Sequence, residues 1–208
     1  MLKAKNLSYQ YPKGQVISYP NFEMTKGQNT LILGTSGSGK TTLLHMVAGF
    51  LKPNGGELFL DQHNLAQLNN AERDEIRKKK IGIVFQKHHF IKSISIKDNI
   101  KLAASLAGKT ITDQLVLEML NGLNISNRAN AKPAELSQGE LQRASIVRAL
   151  VHKPNLVLAD EPTSALDDHS CEAVIKLLLV EGQKHGATLL VVTHDQRLKP
   201  FFTNSIQL

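Results

Sequence analysis

The sequence predicts an α/β fold: a mostly parallel sheet with helices on both faces, an N-terminal antiparallel β segment before it, and an inserted α-helical segment at about 87–150. Three observations carry this. Short apolar runs that read as buried strands alternate with stretches of helical spacing. The first strand-to-helix junction is a glycine-rich loop. From 87 to 150 the strand pattern gives way to helical spacing.

Taken in order, 2–33 reads as short strands broken by Tyr11-Pro12-Lys13-Gly14 and Lys26-Gly27, which suits antiparallel pairing through tight turns. Thr30-Leu31-Ile32-Leu33 closes that stretch as an apolar run. Leu43, Leu44, Val47 and Leu51 then fall at helical spacing up to Lys52-Pro53-Asn54-Gly55-Gly56. Ile81 to Phe85 form the next apolar run, Ile96 to Leu106 and Asp113 to Leu123 read as helices, and Ile146, Val147 and Leu150 share a helix face. Leu156-Val157-Leu158-Ala159 resumes the strand pattern, a helix is expected from Ser170 to Lys184, and Ala187 to Thr193 is β-branched and apolar. Strands apolar on both faces belong to a parallel sheet covered by helices. No repeat, low-complexity tract or long Pro/Gly linker breaks the chain, so 1–208 is read as one domain.

Composition narrows the classes. At 208 residues and 41% apolar content, a core needs no staples. Cys171 is the only cysteine, which rules out an intrachain disulfide and suits a reducing compartment. Met1-Leu2-Lys3-Ala4-Lys5-Asn6 lacks the apolar core and cleavage site of a secretory signal. The most apolar stretches run about four residues, against the roughly 20 of a membrane helix. A net charge of +7 and a pI near 9.5 suit nucleic acid, an anionic membrane surface or a polyphosphate ligand. With 5% aromatic residues and no tryptophan, base stacking has little to work with, so nucleic acid is not expected as a partner. The densest basic run, Arg77-Lys78-Lys79-Lys80, reads as a solvated helix end, and His88-His89 as solvated loop histidines without further metal-ligand spacing.

Gly34-Thr35-Ser36-Gly37-Ser38-Gly39-Lys40-Thr41 fits the G-x-x-x-x-G-K-[ST] phosphate-binding pattern between a strand and a helix, with Thr42 continuing into the helix. Glycines let successive N–H groups turn in toward phosphate oxygens, and the helix N-terminus adds partial positive charge. Lys40 reaches the β/γ-phosphates, and Thr41 offers a hydroxyl to Mg²⁺. A chance match in a chain of this length is on the order of one in a hundred, and the strand-helix context lowers that further.

Leu156-Val157-Leu158-Ala159-Asp160-Glu161 is an apolar strand ending in two carboxylates. At the carboxyl edge of a parallel sheet Asp160 can hold Mg²⁺, directly or through water. Glu161 can accept a proton from, or orient, a water attacking a γ-phosphate. Leu136-Ser137-Gln138-Gly139-Glu140 opens a helix; by itself it is either an anion site or an ordinary capping box of Ser137 with Glu140.

Together these motifs resemble the ATP-binding cassette (ABC) ATPases across essentially the whole chain. The order is the phosphate loop, Gln86 after a strand, the Leu136-Ser137-Gln138-Gly139-Glu140 signature, the Asp160-Glu161 strand, Ser164-Ala165-Leu166-Asp167, and His194-Asp195 after the last strand. The resemblance implies a P-loop NTPase core with ATP and Mg²⁺ as ligands and ATP hydrolysis as the reaction. It also implies head-to-tail pairing with a second copy or a similar cassette, so that Ser137 and Gly139, with Gln138 between them, cover ATP held on the other subunit's loop. Gln86 would sense Mg²⁺ and the attacking water and link the site to an integral membrane permease. His194 would contact the γ-phosphate, and Asp167 would cross the dimer interface. Tyr11, or Tyr9 in its place, would stack on adenine. Thr41, Gln86 and Asp160 would hold the metal. The implied location is cytoplasmic, on the inner face of the membrane. The wording from Leu136 to Asp167 looks most like the branch with lipoprotein-releasing systems, macrolide or peptide exporters and a cell-division ATPase. The signature departs from the common Ser-Gly-Gly-Gln form, and Lys87 to Ile100, the segment expected to touch the permease, is less typical. A mechanical or regulatory output needs the same cassette as transport. A DNA-repair or translation role would predict a second cassette or a coiled-coil insertion.

Overall fold

The computed structural model describes residues 1–164 and 166–208. The N-terminal segment forms β1 (Leu2–Gln10), β2 (Val16–Ser18) and β3 (Phe22–Met24), with β1 antiparallel to both short strands. The apolar run after Lys26-Gly27 does not join them. As β4 (Thr30–Leu33) it lies in a second sheet and leads through the glycine-rich loop into α1 (Lys40–Val47). β5 (Gly55–Leu60) pairs with the other edge of β1, with a register shift between Lys5 and Ser8, and β6 (His63–Asn64) closes that antiparallel sheet.

α2 (Asn70–Lys80) starts on a capping box: the Asn69 side chain accepts from the Glu72 N–H, and the Glu72 carboxylate accepts from the Asn69 N–H. It ends in the basic run. Lys78 and Lys79 pair with Glu75, Arg77 with Asp74 and Lys80 with Asp61, so the run is a paired helix end, with Lys78 and Lys79 exposed and Arg77 and Lys80 half-buried. β7 (Ile81–Val84) follows directly. α3 (Ile96–Leu106) and α4 (Asp113–Gly122) are capped by Ser95 and Thr112, and α5 (Gln138–Leu150) by Ser137. β8 (Leu156–Asp160), α6 (Asp168–Lys184), β9 (Thr188–Thr193) and β10 (Asn204–Gln207) complete the fold. α6 begins earlier than the apolar spacing predicts because Asp167 caps it, its carboxylate accepting from the Ser170 N–H at 2.9 Å.

The second sheet runs β10-β4-β9-β8-β7, and every pairing described in it is parallel. Alternation along its strands divides the core. Ile32, Leu158, Leu190 and Val192 pack with Leu43, Leu44 and Val47 of α1 and the antiparallel sheet. Leu31, Leu33, Val157, Val191 and Leu189 pack with Ile146 and Leu150 of α5 and Ile175 and Leu178 of α6. The parallel sheet is thus a covered central layer, and the carboxyl ends of β4, β8 and β9 meet at one edge. Among the described residues no helix is long and apolar enough to cross a membrane.

Candidate active site

The turn after β4 is shaped by its glycines. Gly39, the residue before α1, sits at φ 95°, and a Cβ there would lie 2.8 Å from the Tyr19 hydroxyl and 2.9 Å from Ile17 Cγ2. Tyr19 comes from the antiparallel segment and is buried; its hydroxyl donates to the Gly39 carbonyl at 3.1 Å. Burial pushes the phenol up to about 12, so the group remains a donor. Lys40 is only 6% exposed, and its Nζ donates to the carbonyls of Gly34 (2.9 Å) and Thr35 (2.8 Å). The charge is parked within the loop it came from. Ser38 Oγ is buried with no partner among the described residues.

The loop forms one wall of a cleft of about 550 Å³, lined also by Tyr11, Ile17, Gln86, Glu161 and His194. The sequence-predicted residues Ser36, Gly37, Gly39, Lys40, Thr41 and Thr42 all face it. Asp160 is joined to it through Thr41, whose hydroxyl donates to Oδ1 at 3.4 Å. Tyr11 and Thr42 share a hydrogen bond of 3.0 Å between their hydroxyls, and the rings of Tyr11 and Tyr9 meet edge to face at 4.8 Å.

The end of β8 carries the electrostatic tension of the site. Burial, and next the neighbouring Glu161 carboxylate, push the Asp160 carboxyl above its ordinary range; His45, Thr41 and Lys40 act in the other direction. Glu161 adopts a left-handed φ of 46°, and its N–H donates to the Val192 carbonyl at 2.9 Å. Its carboxylate is held on both oxygens. Thr193 Oγ1 donates to Oε2 at 2.7 Å, the His194 N–H donates to Oε1 at 3.2 Å, and His194 Nδ1 lies 2.9 Å from Oε1. Lys40 Nζ is 3.8 Å from Oε1. Gln86 Nε2, on the facing loop, donates to Ser164 Oγ at 3.1 Å.

Ser137, Gly139 and Asp167 do not line this cleft. Ser137 and Glu140 form the reciprocal cap, with Ser137 Oγ accepting from the Glu140 N–H at 3.3 Å and Glu140 accepting from the Ser137 N–H at 2.8 Å. Both the cap and an exposed Ser137 are therefore present, so the two readings of this motif do not exclude each other. Gln138 lines a smaller space of about 110 Å³ together with Gln86 and Glu161. Ala165, within the Ser164–Asp167 motif, lies outside the described residues. Sequence reasoning missed Ile17 and Tyr19 at the loop, Thr193 at Glu161, and Arg148, which holds the loop after Gln86. None of them sits in a recognisable spacing.

A family model described as ABC transporter matches residues 17–164. The lipoprotein-releasing system ATP-binding protein LolD of Legionella pneumophila (strain Lens) is 38% identical over 204 residues, covering 95% of this chain and 90% of LolD. The macrolide export ATP-binding/permease protein MacB of Campylobacter jejuni is 36% identical over 200 residues, covering 95% of this chain and 31% of MacB. Among solved structures, the dimeric ATP-binding cassette MJ0796 in a post-hydrolysis state bound to ADP and Pi superposes with a TM-score of 0.87 at 33% identity, covering 100% of this chain and 94% of that one. The family match spans most of the chain, the relatives match along nearly all of it, and the fold agrees throughout; this chain belongs to the ABC transporter family, as an ATP-binding, ATP-hydrolysing subunit.

Proposed function

We propose that the chain powers a separate membrane permease of the lipoprotein-release or export type, working as one cassette of a pair on the inner face of the membrane. The single observation that carries the pairing is the split site. Lys40, Thr41, Gln86, Glu161 and His194 share one cleft, whereas Ser137 and Gly139 stand outside it, so one chain alone leaves its cleft uncovered. A second chain turned head to tail supplies the missing wall.

In this reading ATP enters the cleft with its phosphates against the N–H groups of 34–42. Lys40 exchanges the Gly34 and Thr35 carbonyls for phosphate oxygens, and Tyr11 leaves Thr42 to lie against the adenine. Thr41, Asp160 and Gln86 form an oxygen-donor set suited to Mg²⁺. A cation there would offset the paired negative charge that raises Asp160. When bound, the metal neutralises phosphate charge. Glu161 orients the attacking water and takes its proton, with the Thr193 hydroxyl and the His194 N–H fixing the carboxylate. Each γ-phosphate is attracted by positive helix ends from both subunits, and its loss on hydrolysis releases the pair.

The helical stretch 87–150 carries the force outward. A groove of about 270 Å³ between it and the core is lined by Phe50, Phe85, His89 and Leu106. Phe50 and Leu106 are 45% and 61% exposed, and we assign this groove to the permease. The test is Glu161→Gln. With Mg·ATP it is expected to form a stable dimer by sedimentation and to lose turnover by roughly 10²- to 10⁴-fold; a monomeric or fully active variant would contradict the proposal.

A further inference from the structure

Arg197 lies three residues beyond His194 and belongs to none of the recognised motifs, yet it holds together two segments that flank the site. Its Nε donates to Asp195 Oδ1 at 2.8 Å and its Nη2 to Asp195 Oδ2 at 2.7 Å, a bidentate pair. From the same guanidinium, Nη1 donates to Asp168 and Nη2 to the Leu166 carbonyl at 3.3 Å. These two residues flank Asp167, the cap of α6.

The contacts continue inward without a break. Asp195 is buried, and its Oδ2 also accepts from Thr163 Oγ1 at 3.0 Å and from Cys171 Sγ at 3.6 Å. Its backbone N–H donates to Thr193 Oγ1 at 3.0 Å. A hydroxyl has one hydrogen to give, so a donor arriving at the Thr193 oxygen fixes where that hydrogen points: to Glu161 Oε2, 2.7 Å away. The path is therefore Leu166/Asp168, Arg197, Asp195, Thr193, Glu161. Glu161 holds its left-handed backbone among these contacts, and such conformations persist only where the surroundings over-determine them.

We infer that Arg197 is a positioning residue, which couples the 166–168 segment to the carboxylate of Glu161. It rests on the reading above, that Glu161 is the base and that Asp167 meets the partner cassette. Closure of the partner against 166–168 then sets the angle at which Glu161 receives water. A plain structural role predicts something else: loss of stability, with turnover falling only as far as folded protein is lost.

Steady-state ATPase measurements on Arg197→Ala, Arg197→Lys and Asp168→Ala, with two double variants, decide between them. Arg197→Ala is expected to lower kcat about ten-fold with KM for ATP within about two-fold, and Glu161→Gln combined with Arg197→Ala still dimerises on Mg·ATP. Arg197→Lys keeps an ion pair with Asp195 but cannot also reach Leu166 and Asp168. It is expected to fold like the parent and remain about three-fold slow, where a structural role predicts full rescue. Asp168→Ala alone is expected to lower kcat about two-fold and to add nothing in the Arg197→Ala background. Unchanged kcat in folded Arg197→Ala, or full rescue by lysine, overturns the inference. Should Arg197→Ala not fold, the exposed Asp168→Ala substitution decides by itself, a lowered kcat supporting the coupling and an unchanged one overturning it. A normally active Glu161→Gln sinks the underlying reading; an inactive Glu161→Gln beside a fully active Arg197→Ala sinks this inference alone.

Discussion

Lys40 Nζ and Glu161 Oε1 stand 3.8 Å apart across the cleft, a cation and a carboxylate with side chains only 7% and 12% exposed. The lysine also donates to two loop carbonyls, so its charge is satisfied before any phosphate arrives. In the proposed function, nucleotide binding exchanges these contacts for stronger charge-assisted ones. Lys40→Ala is expected to weaken ATP binding by about 10- to 100-fold, read by equilibrium titration with a fluorescent ATP analogue. Unchanged affinity would mean that the loop binds through its N–H groups alone.

Arg148 ties the signature helix to the loop after Gln86. From near the end of α5 its two Nη groups donate to consecutive carbonyls, His88 at 2.6 Å and His89 at 3.0 Å, while its guanidinium lies 4.3 Å over the Phe90 ring. Burial lowers it to about 10, so it stays charged at neutral pH. His89 holds a left-handed φ of 47°, which the clamp helps to maintain. Arg148→Ala is expected to speed amide hydrogen exchange across 87–91 by about ten-fold or more, with little change in α6. Exchange unchanged in that loop would show that Phe85 packing on His89 suffices to order it.

What the sequence made legible follows from the range of the interactions involved. The phosphate loop, the cap at Ser137 and the span of α3 rest on contacts within a few residues, so pattern alone exposes them. Tyr19 meets Gly39 20 residues away, Arg148 meets His88 60 residues away, and Arg197 meets Leu166 31 residues away; no local spacing encodes such pairs. Thr30–Leu33 reads correctly as a strand but pairs with β9 and β10, because neighbours in a parallel sheet come from distant sequence. β10, Asn-Ser-Ile-Gln, is a partly exposed edge strand of mixed polarity and carries no apolar run to announce it.

Glu140 gives the signature cap a pH signature. The Arg128 Nε donates to it at 2.7 Å, and with the backbone and side chain of Ser137 this holds the carboxyl at about 2, against an ordinary 4.5. A carboxyl lowered on folding contributes stability in full above its unfolded value and loses it as the pH falls toward the folded one. The window is therefore from about pH 5 down to about pH 2. Glu140→Gln is expected to be less stable than the parent at pH 7, with the gap narrowing through pH 3 and closing near pH 2, as measured by urea midpoints across that range. A gap that stays constant would assign the loss to the cap's shape rather than its charge.

Gly82 sets how closely the signature helix can approach the sheet. It lies in β7, and a Cβ built there would stand 2.1 Å from the Ala149 carbonyl oxygen and 2.9 Å from its carbon. Both are backbone atoms of α5, so no side chain can turn aside, and relief requires the helix to move. Arg148 is the preceding residue, so a displaced Ala149 also pulls the clamp from His88 and His89. Gly82→Ala is expected to cost about 2–3 kcal/mol in chemical denaturation. Gly108→Ala is the control: its φ of +73° carries a conformational penalty of about 1 kcal/mol, but the added carbon meets nothing within 4 Å. Equal losses for the two would place the Gly82 cost in the backbone rather than in contact with α5. The clash account requires the Gly82 variant to be the weaker and to share the faster exchange at 87–91 expected of Arg148→Ala.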